Sequence, residues 1–189
     1  MSATLAALLH ELNPAYKIAI FERLEKVAQE SSAAFNNAGT GHSAFCELNY
    51  TTEKVDGTID ITKAIKICEQ FEVSKQFLSY LLDKNYIENT KEFINSCPHI
   101  SLVFGEKDSE FLKKRFQKMQ ENHLFKGMQF SENFEELQSW LPLVMQGRTQ
   151  TEKLAATKME LGTDVDFGKL TEKIFAHLEN VQNVEVFMH

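Results

Sequence analysis

The stretch Ser2–Glu22, SATLAALLHELNPAYKIAIFE, decides the fold. Its first part, Ser2–Leu12, carries Leu5, Leu8, Leu9 and Leu12 at the three- and four-residue spacing of a helix face. Asn13–Pro14 ends that helix, because proline lacks an amide hydrogen and restricts the residue before it. Lys17–Glu22, KIAIFE, then reads as a short strand whose apolar residues finish at an acid. Helix, turn, strand and acid in this order form the second half of a dinucleotide-binding βαβ unit, where the acid accepts hydrogen bonds from ribose hydroxyls. Glu22 is the candidate for that role, against the alternative of an ordinary acidic strand end.

Downstream lies Ser31–Tyr50, SSAAFNNAGTGHSAFCELNY, crowded with short polar residues and glycines. Glycines that permit positive φ let a backbone run close to a ligand and aim N–H groups at it. A plain surface loop has similar composition. His42, between Gly41 and Ser43, is the candidate acid–base residue: its neighbours are small, and imidazole titrates near neutrality. A histidine that merely bonds the loop backbone is the alternative. Ser31 and Ser32 suit either ligand contact or a helix N-cap. Arg148 carries a planar fork able to clamp a carboxylate, or to pair with a nearby acid. Lys158 is a weaker version of the same idea, and His99, after Pro98, reads as structural.

The remaining pattern is α/β. Asp60–Asp83 reads as a long helix with Ile61, Ile65, Cys68 and Phe71 in one stripe, extended by Phe77, Leu78, Leu81 and Leu82. His99–Phe104 reads as a strand, Ser109–Glu121 as a charged amphipathic helix, and Gly127–Phe130 as a short strand. Glu132–Trp140 should be a helix stopped by Pro142, Leu154–Glu160 a strand, Phe167–Asn180 a helix, and Val184–Met188 a buried-type strand. Trp140 and the phenylalanines should fill the core.

The net charge of −7 argues against a nucleic-acid partner, which needs clustered Lys and Arg. Cys46, Cys68 and Cys97 are widely spaced without a CxxC, which suits free thiols in a reducing cytoplasm. No metal-ligand spacing, P-loop, HExxH or GxSxG occurs. Ala3–Leu9 is too short to span a membrane and lacks the basic flank of a signal peptide. The expected location is cytoplasmic.

Two long blocks carry a family resemblance. Asn36–Thr51, NNAGTGHSAFCELNYT, resembles the flavin-contacting segment of malate:quinone oxidoreductases, FAD enzymes of the D-amino-acid-oxidase-like superfamily. Trp140–Arg148, WLPLVMQGR, followed by Ala155–Thr171, AATKMELGTDVDFGKLT, resembles the same family. The resemblance implies a partial Rossmann-like FAD-binding domain, residues 1–97 and 164–189, with an inserted α+β substrate region, residues 98–163. In the family a GxGxx[SG] turn runs into a segment like MSATL, so Ser2 would be its last position, with both glycines upstream. The chain would then be truncated at both ends. Implied FAD-binding residues are Ser2, Glu22, Arg23, Ser31, Ser32, Asn37, Gly39, Thr40 and Gly41. Implied too are His42 as the catalytic candidate beside the flavin and Arg148 as the substrate-binding group. The implied activity is oxidation of (S)-malate to oxaloacetate, with electrons passing through FAD to a membrane quinone at the inner membrane surface. Two alternatives stand beside it: a related FAD-dependent 2-hydroxyacid or amino-acid oxidoreductase, and a non-catalytic folded remnant or binding module.

Overall fold

A computed structural model describes residues Met1–His189 as two compact units. The first comprises Met1–Thr40, Ser74–Asn95 and Asp164–His189; the second comprises Gly41–Val73 and Ser96–Thr163.

In the first unit, α1 (Ser2–Leu12) leads into β1 (Ile18–Glu22), and α6 (Phe167–Leu178) leads into β9 (Val184–Met188). The two strands pair in parallel, with Ile18 opposite Val184 and Glu22 opposite Met188. A parallel pair needs a helical crossover, and α6 returns the chain for that pairing. Asp166 caps α6 by accepting from the Lys169 amide at 2.9 Å, which explains why the helix starts at Phe167. The core gathers Ala3, Ala6, Ala7, Ile20, Leu81, Tyr86, Ile87, Phe93, Ile174, Phe175, Leu178 and Val184.

Two sequence expectations change here. On α1 the buried face is Ala3, Ala6 and Ala7, whereas Leu5, Leu8 and Leu12 of the leucine face are exposed. Small side chains let α1 lie close against α6 and the strands, so volume rather than hydrophobicity selects the inward face. Strand β9 is not of the buried type: only Val184 is buried, and Phe187 and Met188 are exposed. Phe21 and Phe187 instead stack on each other on the open side of the strand pair, 5.0 Å between centroids.

The second unit is built on a three-stranded antiparallel sheet in the order β5–β7–β6: His99–Phe104, Leu154–Met159 and Gln129–Ser131. The central strand β7 is buried along nearly its whole length, as its small residues Ala155, Ala156 and Thr157 allow. Helix α3 (Glu106–Met119) buries Ser109, Leu112, Arg115 and Met119 and exposes its charged positions. Helices α4 (Phe134–Trp140) and α5 (Pro142–Met145) follow, so Pro142 ends one helix and opens the next at its first turn. A small hairpin joins β2 (Thr52–Glu53) to β3 (Ile59–Asp60). It escapes sequence reading because each strand has two residues.

The long helix α2 (Thr62–Asp83) carries the chain from the second unit into the first, and β4 (Ile94–Ser96) and β8 (Thr163–Val165) mark the later crossings. The chain re-enters the first unit at Asp164. The segment Gly41–Val73, grouped by sequence with the flanking residues, lies in the second unit. Phe45, Ile59, Ile61, Ala64 and Cys68 supply the reason: they share a core with Met119, Phe125, Met128 and Met159. The phenylalanines do not all fill cores, since Phe21, Phe35, Phe104 and Phe187 are exposed.

Candidate functional site

Glu22 ends β1, half-buried, and its Oε1 accepts the amide hydrogen of Leu24 at 3.0 Å. A carboxylate retains lone pairs for further donors after one such bond. Arg23 is exposed and pairs with Glu30. Ser2 lies exposed in the first turn of α1, a helix start with no side-chain cap. Its free amide donors and the helix dipole favour an anion there.

The run from Ser31 to Thr40 is pinned to its own backbone. Asn37 donates to the Ser31 carbonyl at 3.1 Å and accepts from the Gly39 amide at 2.9 Å. Gly39 has φ +68°, and a Cβ there would sit 2.7 Å from Asp164 Oδ1, so glycine is required. Its carbonyl accepts the Val165 amide, and Thr40 bridges Asp164. Ser32 presents its carbonyl towards Gly168 at the start of α6, where a Cβ would approach within 3.1 Å. Neither serine caps a helix; the short 3₁₀ turn Ala34–Asn36 follows Ala33. A cavity of about 850 Å³ opens beside these residues, lined among others by Glu25, Val27, Ala33, Ala34, Asp166 and Lys169. Its size falls within the range of ligand sites, about 300–1,000 Å³.

Gly41 and His42 belong to the second unit. The Gly41 amide donates to the Thr163 carbonyl at 2.9 Å, and a Cβ on Gly41 would collide with Thr163 Oγ1 and with Phe71. Three residues after Gly41 the chain turns through Ala44, buried at φ +59°. His42 is exposed, and its Nδ1 stands 3.7 Å from Glu47 Oε1, beyond hydrogen-bond distance but within ion-pair reach. Glu47 itself is buried at both carboxylate oxygens, neither with a hydrogen-bond partner.

Arg115, unread in the sequence, organises this turn. Fully buried on α3, it donates from Nε to Thr51 Oγ1 at 3.1 Å and from Nη2 to the carbonyls of Ala44 and Phe45 at 3.1 and 3.2 Å. Burial pulls its pKa down to about 10, against the raising influence of the Cys46 and Glu47 charges. The one available signal was spacing: Arg115 shares the Leu112–Met119 stripe of an otherwise charged helix.

Arg148 is held within its own neighbourhood. Its Nη1 pairs with Glu152 at 2.7 Å, its Nε donates to the Val144 carbonyl at 3.0 Å, and the guanidinium lies over Phe104, 4.7 Å from the ring centroid. Lys158 pairs with Glu160 and faces Trp140. His99 is buried and bonds the Thr163 carbonyl at 3.1 Å through Nε2, a structural role. Thus Glu22, Arg23, Ser31, Ser32, Asn37, Gly39 and Thr40 gather in the first unit, and Gly41, His42 and Arg148 in the second. The cysteines are free, as read from the sequence.

The family model for malate:quinone oxidoreductase matches residues 1–189. The chain belongs to the malate:quinone oxidoreductase family. It is 59% identical over 186 residues to a probable malate:quinone oxidoreductase of Bacillus cytotoxicus, covering 98% of this chain and 37% of that protein. A counterpart from Flavobacterium johnsoniae is 56% identical over 189 residues, covering 38% of its length. The chain thus spans under two-fifths of these malate:quinone oxidoreductase relatives. Among solved structures, L-amino acid deaminase from Proteus myxofaciens matches 99% of this chain and 35% of its own with a TM-score of 0.59 at 15% identity. Glycine oxidase from Bacillus cereus matches 98% of this chain and 44% of its own with a TM-score of 0.57 at 16% identity. At that identity the likeness establishes the fold, the mixed α/β arrangement expected from the sequence.

Proposed function

We propose that the chain supplies cofactor- and substrate-facing parts of an enzyme that oxidises (S)-malate to oxaloacetate and passes the electrons to a membrane quinone. The observation that carries the reading is the family match along residues 1–189. The residues present also fit FAD. Glu22 stands at a strand end with acceptor capacity left, and a cavity adjoins the loop after β1.

FAD, when bound, supplies the acceptor for the C2 hydride of malate and the route for two electrons to quinone. Glu22 accepts hydrogen bonds from ribose hydroxyls, and the first turn of α1 around Ser2 offers N–H groups to the pyrophosphate. Arg23, Ser31, Ser32, Asn37, Gly39, Thr40 and Gly41 shape the backbone along the cofactor. His42 takes the C2 hydroxyl proton on a ring nitrogen. Arg148 steadies a malate carboxylate with donors of its fork beyond those engaged by Val144 and Glu152. The FAD-binding part comprises 1–97 and 164–189 apart from Gly41–Val73, which shares a core with the 98–163 substrate region. No helix is long and apolar enough to cross a membrane, and the full-length protein meets the quinone by peripheral contact at the inner face of the cytoplasmic membrane.

The test is rapid mixing of malate with the flavin-loaded full-length enzyme carrying this sequence. His42→Ala should slow flavin reduction by about 10²–10⁴-fold, the scale of a positioned acid–base group. Reduction at the wild-type rate removes His42 from the site. Reduction by amino acids but not by malate overturns the substrate assignment.

A further inference from the structure

We propose that Glu47, backed by Arg115, is a positioning residue that holds the His42 ring with Nδ1–H turned towards the carboxylate and Nε2 free to receive a proton. The proposal rests on the proton-accepting role given to His42 above. Its starting point is an imbalance of buried polar groups. Both Glu47 oxygens are buried without a hydrogen-bond partner, and so is Arg115 Nη1. Buried charges are ordinarily paired and bonded, and orphaned ones are a source of strain or of function.

The groups around the carboxylate are few and of defined sign. Arg115 brings a positive charge that never reaches solvent, anchored by the Ala44 and Phe45 carbonyls and Thr51. The Cys46 thiol is pushed up to about 11, first by burial and then by the charge and hydrogen-bonding of the adjacent Glu47, so the thiol stays neutral and faces the carboxylate only as a weak donor. A second, stronger donor facing it is His42, with Nδ1 3.7 Å from Oε1. A displacement of several tenths of an ångström converts that spacing to a hydrogen bond, the kind of tightening that catalytic pairs undergo when substrate binds.

The chemistry follows from imidazole having two distinct nitrogens. A carboxylate accepting from one fixes the tautomer and leaves the other as the acceptor. Arg115 acts a step further back. By clamping the consecutive carbonyls of Ala44 and Phe45, it holds the left-handed turn between His42 and Glu47 and fixes their separation.

The test reads the tautomer of His42 by long-range ¹H–¹⁵N NMR on the ¹⁵N-labelled 189-residue chain, above the imidazole titration range, and needs neither flavin nor malate. The His42 signals are those lost in His42→Gln. The wild-type chain should show the Nδ1–H form in excess, against the ordinary imidazole preference for Nε2–H. Glu47→Gln, nearly isosteric, should shift the ratio about three- to tenfold back towards Nε2–H, the scale of a charge-assisted hydrogen bond. Arg115→Lys, which keeps the charge but loses the fork, should give an intermediate ratio. An Nε2–H excess in the wild-type chain overturns the proposal, even if both variants fail to fold. So does an Nδ1–H excess that Glu47→Gln leaves unchanged. If His42→Ala reduces flavin normally while the tautomer responds to Glu47→Gln, the orientation stands and the catalytic role of His42 falls.

Discussion

At the residue scale, short-range spacing pointed to side chains, and long-range contacts assigned their burdens. Glu22 was legible as a candidate because an acid ends the strand that follows the helix and turn. In the full-length enzyme, Glu22→Ala should weaken FAD binding by about 1–3 kcal/mol, the worth of hydrogen bonds to a charged group, measured by cofactor titration. Unchanged affinity would leave Glu22 as a local cap on Leu24. Arg115 was not legible, because its partners Ala44, Phe45 and Thr51 lie 64–71 residues away. Arg115→Met should destabilise the chain by about 3 kcal/mol, since two carbonyls and a hydroxyl lose their buried donor together. A denaturant midpoint within about 0.5 kcal/mol of wild type would show that water replaces the guanidinium without loss.

At the element scale, the ends of β1, β5, α2 and α6 fell within a residue or two of expectation because proline, capping acids and apolar periodicity act locally. Which face a helix buries was decided otherwise, as the alanine face of α1 shows. The end of that helix is tied down through Glu11, which accepts hydrogen bonds from the hydroxyls of Tyr80 and Tyr86, with Lys84 3.5 Å away. The Tyr80 hydrogen bond, then those of Tyr86 and Lys84, hold the Glu11 carboxyl below its ordinary range despite partial burial. A carboxylate depressed in the folded state stabilises fully above its unfolded pKa, about 4.3, and that stability fades as pH falls through the folded value. Glu11→Gln should therefore lower the unfolding midpoint at pH 7, and the gap from wild type should close below about pH 4. A gap that persists unchanged at pH 3 would assign the effect to packing rather than ionisation.

At the scale of the whole molecule, the chain divides its sequence among two units in an order no local pattern announces. The open side of the β1–β9 pair leaves Phe21 and Phe187 stacked and exposed, and adjacent exposed aromatics of this kind bind apolar probes. Replacing both by serine should markedly reduce binding of a hydrophobic dye by the 189-residue chain while moving the thermal midpoint only slightly. Equal dye fluorescence would locate the accessible apolar surface elsewhere, on the exposed leucines of α1. The sequence by itself determined the α/β class, the succession of helices and strands, the family, and the candidates Glu22, His42 and Arg148. Those properties depend on periodicity, caps and motifs within a few residues of each other. Only the tertiary structure decided that Gly41–Val73 packs with Ser96–Thr163, that Arg148 is held by Glu152, and that Arg115 and Glu47 stand behind His42. These outcomes depend on which distant groups share a buried, low-dielectric space, where an unpaired charge is costly and must find its partner across the fold rather than along the chain.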